Sequence, residues 1–289
     1  DGVAGVSAAL EVARALGDQG IALDHDLEII DFLAEEVSAF GLSCIGSRGL
    51  AGQLKPEMLA RETDGRSLAA AIAEVGGSPA ALGAPLRTDI KAFLELHIEQ
   101  GTVLKEAHQD IGVVTAIAGI TRIEIIVEGR ADHAGTTRMG HRRDALAAAA
   151  RAVTGIEALA IEKAGGPTHF AATVGEFEIE PNAANVVPAR ARRLIDARSE
   201  ARPVMEDFIG EIARLARIVA TATGTTIEPP VTISDNLPTP GDADVLQVLD
   251  AAADAVGARH RRMASGAGHD TAWMARVAKA AMIFIPCLG

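Results

Sequence analysis

The spacing of apolar and polar positions changes along the chain and predicts a series of helices and strands. Residues 5–17 repeat apolar side chains at helical spacing and predict a helix, as do the Ala-rich residues 65–76. Residues 92–98 alternate apolar with polar side chains and predict a strand. The apolar run 27–33 fits a buried strand or the start of a helix, and its isoleucines and phenylalanine favour a strand. The Gly- and Ser-rich residues 41–52 predict a loop.

A second pattern begins after Gly119 and has the order strand, helix, strand, strand, helix, strand. This βαββαβ order is that of a ferredoxin-like unit, which can bury its own core against one face of its sheet. We therefore expect an inserted domain at 119–232 within a larger α/β domain built from residues 1–118 and 233–289. The six segments are 120–129, 142–161, 168–181, 185–198, 204–224 and 225–234, and after Pro238 a helix at 242–257 and a strand at 281–286 follow.

Composition and charge narrow the functional class. The 289 residues carry 27 basic and 39 acidic side chains, so the net charge is −12, which argues against a nucleic-acid or anionic-membrane surface. No apolar run reaches the ~20 residues of a membrane-spanning helix, and the first residues do not resemble a signal peptide. The two cysteines, Cys44 and Cys287, cannot form a disulfide scaffold. We therefore expect a cytoplasmic protein.

Acidic residues and one histidine in the first part of the chain are candidates for metal and base chemistry. Glu35 and Glu36 are adjacent carboxylates, which either lie on a solvated face or divide the roles of base and metal ligand. His97 alternates with carboxylates in LELHIEQG, as a zinc ligand at the end of a strand would. A lone histidine in an apolar strand is more often a hydrogen-bonded core residue. Asp1 opens a helix, where aspartate is usually an N-cap.

Three further segments carry side chains suited to binding a substrate. His133 lies among small polar residues in DHAGTT, which fits a substrate-binding loop or a plain turn. Arg198 can hold a carboxylate with two hydrogen bonds or form a surface ion pair. His269 follows two glycines in SGAGHD, which allow a ligand to approach the backbone closely or simply form a loop.

Taken together, these segments resemble the amidase branch of the aminoacylase/carboxypeptidase-like dinuclear metallohydrolases. That branch contains N-carbamoyl-L-amino-acid hydrolases, β-ureidopropionases and allantoate amidohydrolases. The resemblance covers nearly the whole chain in family order and is most specific at LELHIEQG followed by HAGTT. It implies an α/β, metallopeptidase-like catalytic domain with an inserted ferredoxin-like lid and dimerisation domain. The matching motifs are DGVAGV, LAEE, LELHIEQG, IGVVTAIAG, DHAGTTRM, RRDALAAA, PNAANVVP, DAR and SGAGHD.

The resemblance also implies roles for individual residues. Glu35 matches the general base, and Asp1 matches the carboxylate that bridges two divalent metal ions (Zn, or Mn, Co or Ni). Glu36 and His97 each match a ligand of one metal. The family's lid forms a dimer contact, so a homodimer is implied, in which part of the lid serves the neighbouring subunit's site. The residues that match the substrate site are Gln100, His133, Asn185, Arg198 and His269, of which His133 and Asn185 would serve the neighbour.

The implied activity is hydrolysis of the carbamoyl C–N bond of small N-carbamoyl-L-amino acids by a metal-activated water. Two alternatives stay open, namely an allantoate amidohydrolase and a non-catalytic or inactive fragment of the family. The chain departs from the family pattern at Val37, Ala39 and Arg138, which affects loop shape and substrate preference. It begins without a methionine and ends directly after an apolar run. We therefore expect it to lack one histidine ligand of each metal, to bind metal weakly and to hydrolyse little.

Overall fold

The computed structural model describes residues 2–287, which form two compact units. One unit contains the residues up to Ile117 and from Pro240 onward, and the other is Ala118–Thr239. The helices are α1 (Gly2–Asp18), α2 (Ile45–Leu50), α3 (Pro56–Leu59), α4 (Leu68–Glu74), α5 (Val103–Glu106), α6 (Ala145–Ala164), α7 (Arg202–Thr223), α8 (Ala243–Ala255) and α9 (Thr271–Met274). The strands are β1 (Glu62–Thr63), β2 (Arg66–Ser67), β3 (Ala92–Ile98), β4 (Ile111–Ile117), β5 (Gly119–Glu128), β6 (Asp132–His133), β7 (Phe170–Glu180), β8 (Val186–Val187), β9 (Arg190–Ser199), β10 (Thr226–Ile227), β11 (Val231–Asn236), β12 (Thr239–Pro240), β13 (His260–Ser265) and β14 (Lys279–Ile285).

The first unit is built around a mixed sheet whose central strand, β14, is buried on both faces. β14 runs parallel to β3 on one side and antiparallel to β4 on the other, and β13 lies parallel to β4. Its unbroken apolar run is typical of a strand covered on both sides. Side chains that pack on one face are Val113, Ala281, Val245 and Leu246, and those on the other are Leu104, Val114, Ile117, Met282 and Phe284.

Helix α1 confirms the helix predicted from residue 5 and packs against β3. The contact is close, because a β-carbon at Gly5 would lie 2.5 Å from the carbonyl oxygen of Leu96. A glycine is therefore required at this point for the helix to reach the strand that carries His97.

Two segments of the first unit differ from the sequence prediction. Residues 27–33 were expected to form a strand, but they have no regular structure, and several of their apolar side chains are exposed. Phe32 instead packs its ring 6.0 Å from that of Phe93, so the run covers β3 rather than joining a sheet. Residues 41–52 were expected to be a loop and contain α2. Both errors concern segments whose conformation depends on distant partners.

The second unit has the predicted order of elements, β5-α6-β7-β9-α7 followed by β10 and β11. Its sheet is antiparallel in the order β10-β5-β9-β7, with β11 also paired to β5. This is the ferredoxin-like arrangement, and the α/β fold class is confirmed. Both helices pack on one face of the sheet, where the buried side chains include Ile123, Ile125, Ile156, Ile195, Phe208 and Ile212.

The last predicted strand of this unit, residues 225–234, is divided into β10 and β11. The break falls at Pro229 and Pro230, because proline has no N–H to donate to the neighbouring strand. Each of the two short strands pairs with a different part of β5.

Strand β9 carries adjacent arginines on opposite faces of the sheet. Arg192 lies on the open face and forms ion pairs with Glu124 and with Glu176. Arg193 points to the helix side and is fully buried. Its three guanidinium nitrogens have no hydrogen-bond partner among the described residues, and burial lowers its pKa to about 10. The core of this unit therefore contains an uncompensated cation.

None of the helices among residues 2–287 combines the length and the apolar character that a bilayer crossing requires.

Candidate active site

The Glu35–Glu36 pair lies in an irregular segment whose backbone is held by the start of α2. The amides of residues 44–46 donate hydrogen bonds of 2.9–3.1 Å to the carbonyl oxygens of residues 33–35, in antiparallel order. Ala34 has a left-handed backbone with φ 49°, which alanine adopts only when its surroundings enforce it. A β-carbon at Gly46 would lie 2.7 Å from the backbone nitrogen of residue 33, so glycine permits this close approach. The position of the two carboxylates is thus fixed from outside their own segment.

His97 lies near the carboxyl end of β3, where the alternating pattern predicted it, and its side chain is buried. Its Nδ1 atom lies 2.8 Å from the carbonyl oxygen of Ile98. A carbonyl only accepts, so Nδ1 donates this hydrogen bond, and in the neutral tautomer that does so the lone pair is on Nε2. Histidines that bind metal ions commonly have their second nitrogen held in this way.

Glu95 lies two residues before His97 on β3 and joins this strand to the start of α9. One carboxylate oxygen, Oε2, accepts hydrogen bonds from the backbone N of Thr271 at 2.8 Å and from its Oγ1 at 2.6 Å. Burial raises the pKa of Glu95, and the two hydrogen bonds from Thr271 oppose that effect.

His269 is fully buried beside His97. Its Nε2 shares a hydrogen bond of 2.8 Å with Ser265 Oγ, and its Nδ1 lies 3.7 Å from Glu95 Oε1. Burial, followed by the nearby His97, lowers the pKa of His269 to about 3. The imidazole is therefore neutral at physiological pH, and it can exchange hydrogen bonds but carries no charge.

Asp270 follows His269 and is anchored to α2. Ser47 donates a hydrogen bond of 2.5 Å from Oγ to Asp270 Oδ1. The thiol of Cys44 lies 3.6 Å from the carbonyl oxygen of Glu35, and burial, with the charges of Asp270 and Glu35, raises its pKa to about 12. Cys44 is therefore a neutral thiol that packs between two acidic residues.

The acidic residues of the first unit act together on Glu35. Burial, followed by the negative charges of Asp270, Glu36 and Glu95, raises its pKa to about 7. A carboxyl group with a pKa near neutrality can both take up and release a proton at physiological pH.

The donor atoms near Glu35 are of the types that bind divalent cations. His97 keeps Nε2 apart from its hydrogen bond to Ile98, and Glu36 has an exposed side chain. The carboxylates that, after burial, raise the pKa of Glu35 repel one another, and a cation would relieve that repulsion. Within residues 2–287, no group of three or more histidine, cysteine or acidic side chains is arranged to hold a metal ion. Asp1, predicted to bridge two metals, lies outside the described residues. The predicted ligand set is therefore represented only by Glu36 and His97.

Gln100 follows β3 in a left-handed conformation with φ 58°. The turn around it is held by Glu99, whose two carboxylate oxygens accept hydrogen bonds from the amides of Val103 (2.7 Å) and Leu104 (2.8 Å) at the start of α5. Non-glycine residues with positive φ cluster at functional sites, where neighbouring contacts enforce them.

In the second unit, the structure brings His133 and Asn185 together. β6 pairs with β8 so that His133 lies opposite Val186, and the amide of Ala134 donates a 2.9 Å hydrogen bond to the carbonyl oxygen of Asn185. The amide of Gly135 donates to His133 Nδ1 at 3.1 Å, which fixes the orientation of the ring.

Arg198 lies at the other end of the same unit. It pairs with Ile120 across β9 and β5, whereas the β6–β8 pair adjoins the end of β9 at Arg190. Eight residues of strand separate Arg190 from Arg198, which corresponds to about 26 Å. Arg198 donates a 2.7 Å hydrogen bond from Nε to Asp196 Oδ1. Within one chain, Arg198 and the His133–Asn185 pair therefore cannot contact the same small substrate.

The sequence prediction omitted several polar residues of this site. Alternation on β3 places Glu95 on the same face as His97, so that signal was present. Asp270 directly follows His269 in the motif that was singled out. Ser47 and Thr271 carry no signal of their own, because their roles depend on contacts made across the fold.

Comparisons with known proteins agree with this description. The model of peptidase family M20/M25/M40 matches residues 1–289. The chain is 37% identical to an N-carbamoyl-L-amino-acid amidohydrolase of Paenarthrobacter aurescens, over 99% of the chain and 69% of that relative. It is 34% identical to an allantoate amidohydrolase of Bacillus subtilis, over 100% and 70%. The crystal structure of a hydantoinase/carbamoylase family amidase from Burkholderia ambifaria matches it with a TM-score of 0.89 at 34% identity, over 100% and 69%.

Proposed function

The chain belongs to peptidase family M20/M25/M40, and from that premise we propose that it hydrolyses the carbamoyl C–N bond of N-carbamoyl-L-amino acids. Its relatives include hydrolases named for this bond and for allantoate. The observation that carries the proposal is the placement of Glu35, whose backbone is clamped by the start of α2 and whose carboxyl group is part-buried near Asp270, Glu36 and Glu95, which raises its pKa to about 7. Such a group suits proton transfer at neutral pH.

Two divalent metal ions complete the proposed site. Glu36 and His97 would each ligate one of them, and Asp1 would bridge both. When bound, such ions lower the pKa of water toward ~7 and polarise the carbonyl group that is attacked. The orientation of His97, whose Nδ1 is bound to Ile98, and the clustered negative charge support this assignment.

Glu35 is the proposed proton carrier. It takes a proton from the attacking water and later delivers it to the nitrogen that leaves the carbamoyl carbon. His269, which is neutral and buried, is the proposed hydrogen-bonding group beside His97, and it brings no charge to the site. Gln100, at the strained turn after β3, is the proposed further contact.

Arg198 is the proposed partner of the substrate carboxylate, because a guanidinium group matches a carboxylate with two parallel hydrogen bonds. The distance along β9 implies that His133 and Asn185 act on a different substrate molecule from the one that Arg198 holds in the same chain. We therefore propose a homodimer in which His133 and Asn185 of each chain complete the site of its partner.

The test is a hydrolysis assay of the metal-loaded protein with N-carbamoyl-L-amino acids and with allantoate in parallel, followed by ammonia release. The proposal expects kcat/KM to be highest for an N-carbamoyl-L-amino acid. Glu35→Gln should remove nearly all activity without loss of bound metal. A higher kcat/KM for allantoate would make allantoate the substrate instead. No hydrolysis by protein shown to hold two metal ions per chain would refute the enzyme assignment.

A second measurement tests the carboxylate contact. Arg198→Ala should lower kcat/KM for N-carbamoyl acids by about 10²-fold, with metal content unchanged. Arg192→Ala is the matched control, since Arg192 lies on the same face of the same strand and is held by ion pairs. Equal kinetics in the two variants would contradict the role of Arg198.

A further inference from the structure

The loop that carries His269 is attached through the two residues that follow this histidine. Thr271 is bound to Glu95 on β3 through two donors, and Asp270 is bound to Ser47 on α2. We propose that the Glu95–Thr271 pair is a positioning device that sets the His269 ring against His97 for the reaction, an inference that rests on the proposed hydrolytic function.

The geometry of Glu95 is suited to this role. Its Oε2 atom accepts both hydrogen bonds from Thr271, so the residue after Asp270 is held at two points. Its other oxygen, Oε1, lies 3.7 Å from Nδ1 of His269. That Nδ1 is buried and has no hydrogen-bond partner among the described residues, so no direct bond fixes the ring from this side. Ser265 holds the ring at Nε2, and the link through Thr271 sets the distance between the ring and β3.

The position of Glu95 in the sequence connects it to the rest of the site. It lies two residues from His97, so both side chains leave β3 on the same face. A displacement of Thr271 thus changes the spacing between His269 and the proposed metal ligand on that strand. The Ser47–Asp270 bond holds the same loop to the helix that clamps Glu35, so loss of one anchor shifts the loop without releasing it.

The test compares two variants of Thr271. Thr271→Val keeps the shape and the backbone donor but loses the Oγ1 hydrogen bond, and Thr271→Ser keeps that hydrogen bond. We expect Thr271→Val to lower kcat about tenfold with KM changed less than twofold, because misplacement of a reacting group acts on the chemical step. Thr271→Ser should restore most of kcat. Metal content should be equal in all proteins.

The matched control is Thr115→Val. Thr115 lies in the same sheet and donates a 3.2 Å hydrogen bond from Oγ1 to the carbonyl oxygen of Met263, away from the residues of the site. If the Glu95–Thr271 pair only stabilised the fold, Thr115→Val and Thr271→Val would lower Tm similarly and leave kcat unchanged. That result would overturn the proposal, as would a Thr271→Ser variant as slow as Thr271→Val.

An optical measurement separates this proposal from the proposed function. Trp273 in α9 is the only tryptophan of the chain and stacks against Arg48, whose guanidinium carbon lies 3.7 Å from the ring centroid. A shift of the loop should change the emission of Trp273 in Thr271→Val and not in Thr271→Ser or Thr115→Val. If protein that holds two metal ions per chain hydrolyses no substrate, the proposed function fails. The emission spectra still decide whether the Glu95–Thr271 pair positions the loop.

Discussion

The imidazole rings of His97 and His269 meet edge to face, with centroids 4.6 Å apart and planes inclined by 65°. His97 is held by the backbone of its own strand, and His269 is held by Ser265 and by the loop that Glu95 anchors. Burial and the proximity of His97 both keep His269 neutral. Two histidines in contact are thus held in different ways, which matches their different proposed roles as a metal ligand (His97) and a neutral group beside it (His269).

Replacement of His269 should therefore affect the chemical step more than metal binding. We expect His269→Asn to lower kcat by about 10²-fold, the usual cost of losing one hydrogen bond to a charge that develops in the transition state. Bound metal, measured by elemental analysis, should be unchanged. His260→Asn is the control, because His260 lies in the same unit and faces Asp250 and Asp254. A fall in metal content with His269→Asn would instead make His269 a ligand.

The raised pKa of Glu35 predicts how stability depends on pH in the metal-free protein. Between its ordinary value of 4.5 and about 7, the folded state binds more protons at Glu35 than the unfolded state, so Glu35 lowers stability as pH rises. His269 acts in the opposite direction between about 3 and 6.5, because its folded pKa is depressed.

The variant Glu35→Gln isolates the first effect, since it keeps His269. The difference in Tm between Glu35→Gln and the parent, measured with a chelator present, should widen from about pH 4.5 to about pH 7 and then stay constant. Saturating metal should reduce the difference, because a cation compensates the charge of the carboxylate. A difference that does not vary with pH would show that Glu35 has an ordinary pKa in the folded protein.

The fold was predictable from the sequence where the spacing of apolar residues in a segment matches the face that the folded protein buries. Strand β3 occupies the predicted residues 92–98, and the βαββαβ order of the second unit follows from its alternating and helical segments. The pattern failed at 27–33, where apolar side chains pack on β3 as a loop. The pattern of apolar and polar residues also could not predict the hydrogen bonds between residues 33–35 and the start of α2. Those hydrogen bonds join backbone groups, which are the same for every side chain.

The sequence contained enough information to predict one buried arginine on β9. Adjacent residues of a strand face opposite sides, so the run Arg192-Arg193 in a half-buried sheet must send one arginine into the core. An arginine in the core could thus be predicted. Only the structure shows that its guanidinium has no hydrogen-bond partner among the described residues.

Replacing Arg193 should stabilise the protein. We expect Arg193→Met to raise the free energy of unfolding by about 2 kcal/mol, because an unpaired buried charge is removed and the apolar stem is retained. Arg192→Met is the matched control on the opposite face. It loses ion pairs that are partly exposed and should change stability by less than about 1 kcal/mol. Urea denaturation of both variants measures the difference, and destabilisation by Arg193→Met would mean that the guanidinium is compensated.

The separation of Arg198 from His133 along β9 predicts that defects can be complemented between chains. In the proposed homodimer, a site takes Glu35 and Arg198 from one chain and His133 from its partner. A mixture of Glu35→Gln and His133→Ala chains that exchange partners therefore contains dimers with one intact site. With equal amounts and random exchange, about a quarter of all sites should be intact, so activity should recover to about a quarter of the parent value.

The control for this experiment mixes Glu35→Gln with Arg198→Ala. In the proposed homodimer, one chain supplies both Glu35 and Arg198 to a site, and both of these variant chains supply a normal His133. A hybrid of these two chains then has one site without Glu35 and one without Arg198, so activity should stay at the level of the separate variants. Recovery in the control pair as well would place Arg198 with His133 in the partner's site. Recovery in neither pair would mean that each chain completes its own site, which requires the His133 loop to leave the end of β9 where it lies.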